Sequence, residues 1–222
     1  MPDAMSIESA YARWAATYDA DRNLTRDLDR DVTRRMLGGR RFRYAIEVGC
    51  GTGKNTGLLA EIAAQVVALD FSPAMLAQAK DKVRAPRVAF RGADVTQPWP
   101  CADHVADLVT CNLVLEHVEQ LDAVFKEVAR CLDDAGMLYL SELHPFRQYE
   151  GAQARFTDAA DTITRVPAFV HRVSDVLAAA ERVGLVVSSL REWWHADDAG
   201  RPPRLLTLEF ARTDRRPTEN LI

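Results

Sequence analysis

The chain has 222 residues, of which 48% are hydrophobic and 27% charged, and its formal net charge is −4. This length suits one α/β domain with a small appendage, and the slightly acidic balance argues against nucleic-acid partners. No apolar run approaches the ~18 residues of a membrane span, and the N-terminal residues lack the pattern of a signal peptide, so we expect no membrane partner.

The predicted elements begin with a short helix on which Tyr11, Trp14, Ala15 and Tyr18 share one face. Residues from about 5 to 38 are interpreted as a helical cap. Seven apolar runs then have the length and the β-branched content of buried strands. They cover residues 44–49, 66–70, 87–91, 106–111, 137–141, 185–190 and 205–211.

Helical patterns separate the first six of these strands. Ser72 is a predicted N-cap before Pro73, and it opens a helix that runs to about Arg84. Apolar residues from Leu121 to Leu132 follow helical spacing, with Gly136 as the predicted stop, and a third helix precedes Gly184.

Alternation of strands and helices predicts a parallel sheet that is covered on both faces. The last strand follows its neighbour through the polar residues 195–204 rather than through a helix, so we expect it to return antiparallel. Residues 142–170 fit neither pattern and are interpreted as an insertion after the fifth strand.

The first strand ends in a glycine-rich turn, Glu47-Val48-Gly49-Cys50-Gly51-Thr52-Gly53. Such a turn between a buried strand and a helix is typical of nucleotide sites in open α/β sheets. A P-loop is excluded because its first glycine would fall on Val48, and the dinucleotide pattern G-x-G-x-x-G fails at Lys54.

Further polar residues follow the neighbouring strands, and the carboxyl ends of parallel strands meet at one edge of a sheet. Asp70 ends the second strand, where a carboxylate can accept both hydroxyls of a ribose. Asp94 follows the third strand, where it could accept a hydrogen bond from an adenine amino group. Asn112 follows the fourth strand.

The order and spacing of these segments resemble the class I S-adenosylmethionine (SAM)-dependent methyltransferases that act on small molecules. The resemblance covers about residues 10–145. It implies a single domain over residues 1–222 with a Rossmann-like, doubly wound seven-stranded sheet, mostly parallel with an antiparallel last strand. The segments are EVGCGTG, ALDFSPAML, GADV, DLVTCNLVLEHV and GMLYLS.

The resemblance also implies SAM as cofactor, S-adenosylhomocysteine (SAH) as product, and a role for individual residues. The three glycines of the turn would approach the methionyl part of SAM, and Glu47 would orient its amino group. Asp70 would accept the ribose hydroxyls, while Asp94 and the backbone at Val95 would bind adenine. The remaining implied cofactor contacts are Tyr18, Phe71, Met75, Asn112 and Leu113.

Methyl transfer from a sulfonium is an in-line displacement that depends on alignment and on the exclusion of water. A histidine could serve as base for a protonated acceptor, and His117 and His144 are the candidates. We expect a small-molecule acceptor that is methylated on oxygen or nitrogen, and aromatic residues favour a planar one. The N-terminal helix and the 142–170 insertion are expected to cover this acceptor, the insertion as a substrate lid. The expected acceptor contacts are Tyr11, Trp14, Tyr18, His144, Arg147, Tyr149, Trp193 and Trp194.

Two alternatives stay open at this point: a SAM- or SAH-binding regulatory protein without turnover, and, less well matched, an NAD-dependent oxidoreductase. The spacing of Cys50, Cys101, Cys111 and Cys131 fits no metal site, which predicts free thiols in the cytoplasm and no bound metal. Monomer and homodimer are both compatible with the sequence.

Overall fold

The computed structural model describes residues 6–157 and 162–212. Three segments lie outside the described residues: 1–5, 158–161 and 213–222. The predicted cap, insertion and single domain include parts of them. Nine strands occur in the described part, in two sheets. They are β1 (Phe42–Val48), β2 (Ala63–Asp70), β3 (Val88–Gly92), β4 (Ala106–Asn112), β5 (Leu132–Leu143), β6 (Arg155–Thr157), β7 (Ile163–Arg165), β8 (Leu185–Trp193) and β9 (Leu205–Arg212).

The main sheet has the strand order β3-β2-β1-β4-β5-β9-β8. Strands β1 to β5 pair in parallel, whereas β9 lies antiparallel to both β5 and β8. This confirms the expected doubly wound sheet with a reversed last strand. The chain order changes direction between β1 and β4, so a crevice opens at the carboxyl ends of these strands.

Seven helices accompany the strands in the described part of the chain, and their starts follow local capping chemistry. The Ser72 hydroxyl accepts a hydrogen bond from the Met75 backbone N–H at 3.4 Å, and Pro73 occupies the first helical position, as predicted. The helices are α1 (Ile7–Trp14), α2 (Leu24–Leu37), α3 (Thr56–Ile62), α4 (Pro73–Lys82), α5 (Leu121–Cys131), α6 (Pro145–Tyr149) and α7 (Val173–Arg182).

Several boundaries differ from the sequence prediction, including the ends of α5 and α1. Helix α5 ends at Cys131, and Gly136 lies inside β5 instead of stopping the helix. A Cβ at Gly136 would lie 2.9 Å from the Ala106 carbonyl oxygen of β4, so the glycine serves close strand packing. Helix α1 ends at Trp14, so Ala15 and Tyr18 follow the helix although the Tyr18 ring still contacts Trp14.

The core has one layer on each side of the sheet. Helices α5 and α7 cover one face, where Phe125 and Phe210 meet edge to face, and α2 and α3 cover the other. All four cysteines are free thiols, as predicted. Among the described residues, no helix is long and apolar enough to cross a membrane.

A third cluster joins the two pieces that lie outside the main sheet. Between β5 and α7 the chain forms α6 and the β6–β7 hairpin, and this hairpin was not predicted from the sequence. The Trp14 ring of α1 stacks on Phe156 of the hairpin with 5.4 Å between ring centroids. The N-terminal helix and the insertion therefore pack against each other through buried aromatic side chains.

Candidate functional site

The glycine turn after β1 depends on backbone conformations that glycine adopts readily. Gly49 and Gly51 have φ values of +68° and +54°. A Cβ at Gly49 would lie 2.3 Å from Cγ2 of Val114, whereas a Cβ at Gly51 would meet no atom within 4 Å. Gly49 therefore permits the close approach of the segment after β4, and Gly51 presents bare backbone to open space.

Asp70, at the end of β2, holds this turn in place. Its Oδ2 accepts a hydrogen bond from the Gly51 N–H and its Oδ1 accepts one from the Ser72 N–H, both at 2.8 Å. Burial raises the pKa of the Asp70 carboxyl despite these hydrogen bonds. Each carboxylate oxygen has a further lone pair, so Asp70 can still accept hydrogen bonds from a ligand.

A cavity of about 620 Å³ opens beside the turn, and we call it the glycine-turn cavity. Ten of the twelve residues expected at a cofactor line it, together with Tyr11 and His117. Helix α1 also contributes Ile7 and Glu8 to its wall, and neither was predicted from the sequence. The expected residues that line the cavity are Tyr18, Gly49, Gly51, Asp70, Phe71, Met75, Asp94, Val95, Asn112 and Leu113.

The other two expected cofactor residues lie outside this lining. Glu47 is buried beneath the turn, where its Oε2 accepts a 2.5 Å hydrogen bond from Thr56, and burial raises its pKa to about 8. A Cβ at Gly53 would lie 3.3 Å from the Ala79 Cβ, so this glycine packs against α4. Both residues support the turn from below instead of facing the cavity.

Asp94 and Leu113 line the glycine-turn cavity in contrasting ways. Asp94 is exposed, and its Oδ1 accepts hydrogen bonds from the N–H and the hydroxyl of Thr96, whereas no described residue donates to its Oδ2. Leu113 has a φ of +57°, which is uncommon for a residue with a side chain. The Leu113 N–H donates to the Ser141 carbonyl oxygen at 2.8 Å, which holds this strained residue at the cavity wall.

Asn112 belongs to a buried polar network that sequence reasoning missed. Its Nδ2 donates to Asp29 Oδ1 at 2.8 Å, and Asn55 Nδ2 donates to Asp29 Oδ2 at 2.9 Å. Burial raises the pKa of Asp29. The sequence carried a signal, because Asp29 lies three residues after Arg26 and four before Thr33 on the buried stripe of α2.

A second cavity of about 530 Å³ adjoins the first, and we call it the arginine-lined cavity. Tyr11, Tyr18 and Leu113 line both cavities. Trp14 and Arg147, two of the residues predicted to contact the acceptor, also line the second one. Its charged lining consists of Arg22, Arg26, Glu116, Arg147, Glu150, Arg155, Arg165, Arg201 and Arg204.

His117 and Tyr11 form a hydrogen-bonded pair near the junction of the cavities. His117 Nδ1 lies 2.9 Å from the Pro167 carbonyl oxygen, which can only accept, so Nδ1 carries the proton. Nε2 therefore accepts the 2.7 Å hydrogen bond from the Tyr11 hydroxyl. Burial lowers the pKa of His117, and its Nε2 lies 3.8 Å from Glu116, whose carboxyl pKa burial raises to about 7.

Four expected acceptor residues lie away from both cavities. His144 is 3% exposed; its Nδ1 accepts from the Phe146 N–H as the cap of α6, and its Nε2 lies 2.9 Å from Glu192. Trp193 donates to the Thr207 hydroxyl at 2.9 Å, inside the sheet. Tyr149 and Trp194 are 57% and 51% exposed. These side chains are occupied structurally or face solvent, and none of them lines either cavity, so their contact with an acceptor stays a prediction.

Within the described residues, no group of three or more His, Cys, Asp or Glu side chains could hold a metal ion. The chemistry available is therefore that of two adjoining cavities, one walled by the glycine turn and acids, the other by arginines and aromatic rings.

Comparisons with known proteins agree with this arrangement. Residues 46–140 match the model of a family described as a methyltransferase domain. An uncharacterised methyltransferase of Emericella nidulans is 32% identical, over 82% of this chain and 76% of that protein. A malonyl-[acyl-carrier protein] O-methyltransferase of Gallionella capsiferriformans is also 32% identical, over 80% of this chain, which spans 64% of that protein.

The fold is likewise similar to solved structures. The SAH complex of DhpI superimposes with a TM-score of 0.72 and 23% identity, over 95% of this chain and 98% of that one. A structure described as an S-adenosylmethionine-dependent methyltransferase from Listeria monocytogenes gives a TM-score of 0.70 at 21% identity, over 84% of this chain and 98% of that one. The chain belongs to the class I SAM-dependent methyltransferases.

Proposed function

We propose that the glycine-turn cavity binds SAM and that the arginine-lined cavity binds a small molecule, which is methylated on an oxygen or nitrogen atom. The observation that carries this proposal is the junction of the two cavities at Tyr11, Tyr18 and Leu113. A donor in one cavity and an acceptor in the other would meet at these residues, as an in-line transfer requires.

The residues of the glycine-turn cavity fit SAM. Its volume lies within the range of about 300–1,000 Å³ that is usual for cofactor sites. Gly51 presents backbone without a side chain, and Asp70 has lone pairs for two ribose hydroxyls. The Oδ2 of Asp94 can accept a hydrogen bond from an adenine amino group. These features support the residue roles that the sequence resemblance implies.

SAM, when bound, supplies an electrophilic methyl group on its sulfonium. The chain's own contribution is to align the acceptor and to exclude water. Trp14 lines the arginine-lined cavity and stacks on Phe156, which joins α1 to the β6–β7 hairpin. These aromatic contacts hold the two covering pieces together.

Tyr11 and His117 are proposed to receive the acceptor's proton where the acceptor is a hydroxyl or a protonated amine. Burial raises the pKa of Tyr11 above its usual value, so its oxygen keeps a proton, which it donates to His117 Nε2. As the acceptor's proton passes to the Tyr11 oxygen, the Tyr11 proton passes to Nε2. Glu116 lies 3.8 Å from Nε2 and would stabilise the resulting imidazolium.

Oxygen is favoured over nitrogen as the methylated atom by the names of two relatives. One acts, by its name, as a malonyl-[acyl-carrier protein] O-methyltransferase, and another as a ubiquinone biosynthesis O-methyltransferase. The planar acceptor expected from the sequence has less support. Tyr149, Trp193 and Trp194 lie outside the cavities, and Trp14 stacks on Phe156.

Turnover with labelled SAM tests this proposal. The protein is incubated with methyl-labelled SAM and a panel of hydroxyl, amine and carboxylate metabolites, and both SAH and labelled products are measured. We expect a labelled small-molecule product whose formation depends on Tyr11. Tight SAH binding without product from any acceptor class would favour the regulatory alternative. Preferential binding of NAD would favour an oxidoreductase.

A further inference from the structure

We propose that the arginine-lined cavity recognises an acceptor through an oxyanion, a carboxylate or a phosphate-type group, held by Arg155 and Arg165 together with Arg147. This inference rests on the proposed function and names the chemical class of its acceptor. Seven arginines but only two glutamates line the cavity. The distribution of their partners indicates which arginines are available to a ligand.

The β6–β7 hairpin places two arginines opposite each other. Arg155 and Arg165 are register partners in its antiparallel pairing, and both line the cavity. Neither has an ion pair or a side-chain hydrogen bond within residues 6–157 and 162–212. Like charges directly opposite on neighbouring strands destabilise a sheet. Both residues are exposed, so a ligand can reach them, and an anion between them would relieve this repulsion.

A buried arginine provides the second, independent observation. Arg147 is 5% exposed, and its Nε has no hydrogen-bond partner in the part of the chain that is described. Its Nη2 lies 2.8 Å from Asp198, which also receives two hydrogen bonds from Arg204. One carboxylate therefore faces two guanidinium groups, which leaves excess positive charge in the cavity wall.

Glu150 and Asp197, which pairs with Arg22, offset only part of this excess. Arg201 has no side-chain partner among the described residues, and Arg26 bonds to two backbone carbonyl oxygens rather than to a carboxylate. Glu116 has a carboxyl pKa raised to about 7 by burial, so it carries only part of a negative charge near neutral pH.

Guanidinium groups bind carboxylates and phosphate-type groups through paired, charge-assisted hydrogen bonds. A neutral planar acceptor would leave the Nε of the buried Arg147 without a hydrogen-bond partner, which is unfavourable. The charge of the cavity therefore favours an acceptor that carries an oxyanion.

Calorimetry with defined anions tests this inference without requiring turnover. Malonate and methylphosphonate are titrated separately into the SAH-saturated protein at constant ionic strength, with chloride as the balancing anion. The test variant is R155Q/R165Q. The matched control is R41Q/R84Q, which removes the same charge from exposed arginines near the amino ends of β1 and β3.

We expect at least one probe to bind, and its affinity to fall at least tenfold in R155Q/R165Q but less than twofold in the control. The probe that binds more tightly indicates whether the group is a carboxylate or of phosphate type. Absence of binding by both probes, or equal weakening in both variants, would overturn the inference. SAH binding is measured in the same samples, so failure of this inference can be told apart from failure of the proposed function. A wild-type protein that does not bind SAH would refute the proposed function.

Discussion

Replacing Gly49 by alanine should destabilise the fold at the glycine turn, and the structure allows the size of the effect to be worked out. The new Cβ would lie 2.3 Å from Val114 Cγ2, well inside van der Waals contact. The residue would also have to keep a φ of +68°. The left-handed conformation costs about 1–2 kcal/mol, and overpacking of this kind typically costs about 1–3 kcal/mol. We expect G49A to lose about 2–5 kcal/mol of unfolding free energy.

Two further variants separate these contributions. Gly39 has a φ of +87° and open space around its missing Cβ, so G39A should show the conformational cost alone, about 1–2 kcal/mol. The variant V114A removes the clashing methyl groups and leaves the Val114 Cβ at 3.4 Å from the new Cβ. The double variant G49A/V114A should therefore lose about 1–3 kcal/mol less unfolding free energy than the two single variants lose together.

Urea denaturation of the four variants and the wild type measures these differences. If G49A were no more destabilised than G39A, or if V114A gave no relief, the close approach of the segment after β4 to the glycine turn would be refuted. In either case the described geometry of the glycine-turn cavity would also be contradicted.

Three further variants and one pH profile probe the site and its support. G51A should weaken SAH binding at least tenfold by calorimetry, because its methyl group would enter the open space at the cavity wall. The positive φ at this position should cost the variant about 1–2 kcal/mol of stability. An unchanged SAH affinity would contradict this prediction. Y11F should lower turnover about a hundredfold and leave SAH affinity within twofold. Because burial lowers the pKa of His117 below its usual 6.5, wild-type turnover should decline only at a pH below 6.5, and a decline that starts above it would count against the relay. The protonated Glu47 carboxyl contributes its full stabilisation at a pH below 4.5, the pKa of this group in the unfolded chain. This contribution is lost as the pH rises from 4.5 through about 8, the pKa of the group in the folded protein. The variant E47Q should therefore flatten the pH dependence of stability in this range, whereas E119Q at an exposed position should not.

The sequence was sufficient for the sheet because buried strands and capped helices leave local signals. The reversed last strand followed from a polar connection, and the start of α4 followed from Ser72 and Pro73. Most of the expected cofactor residues line one cavity for a similar reason, since the carboxyl ends of parallel strands converge at one edge of the sheet.

The acceptor side could not be read in the same way, because its residues come together only through tertiary packing. His144 lies directly after β5, yet its ring caps α6 and meets Glu192. Arg155 and Arg165 are brought opposite each other by a hairpin with strands of three residues, too short for a periodicity signal. Gly136 looked like a helix stop, but its actual constraint is the Ala106 carbonyl oxygen on another strand.

Titration of SAH into the wild type and D70A by calorimetry tests the central claim, that the glycine-turn cavity is the SAM site, most directly. D81A, at an exposed position near the end of α4, is the control for charge removal. We predict one SAH site in the wild type and in D81A, and an affinity about 10- to 150-fold lower in D70A, because hydrogen bonds to a buried carboxylate are lost. Equal SAH affinity in all three proteins, or tighter binding of NAD than of SAH by the wild type, would contradict the claim.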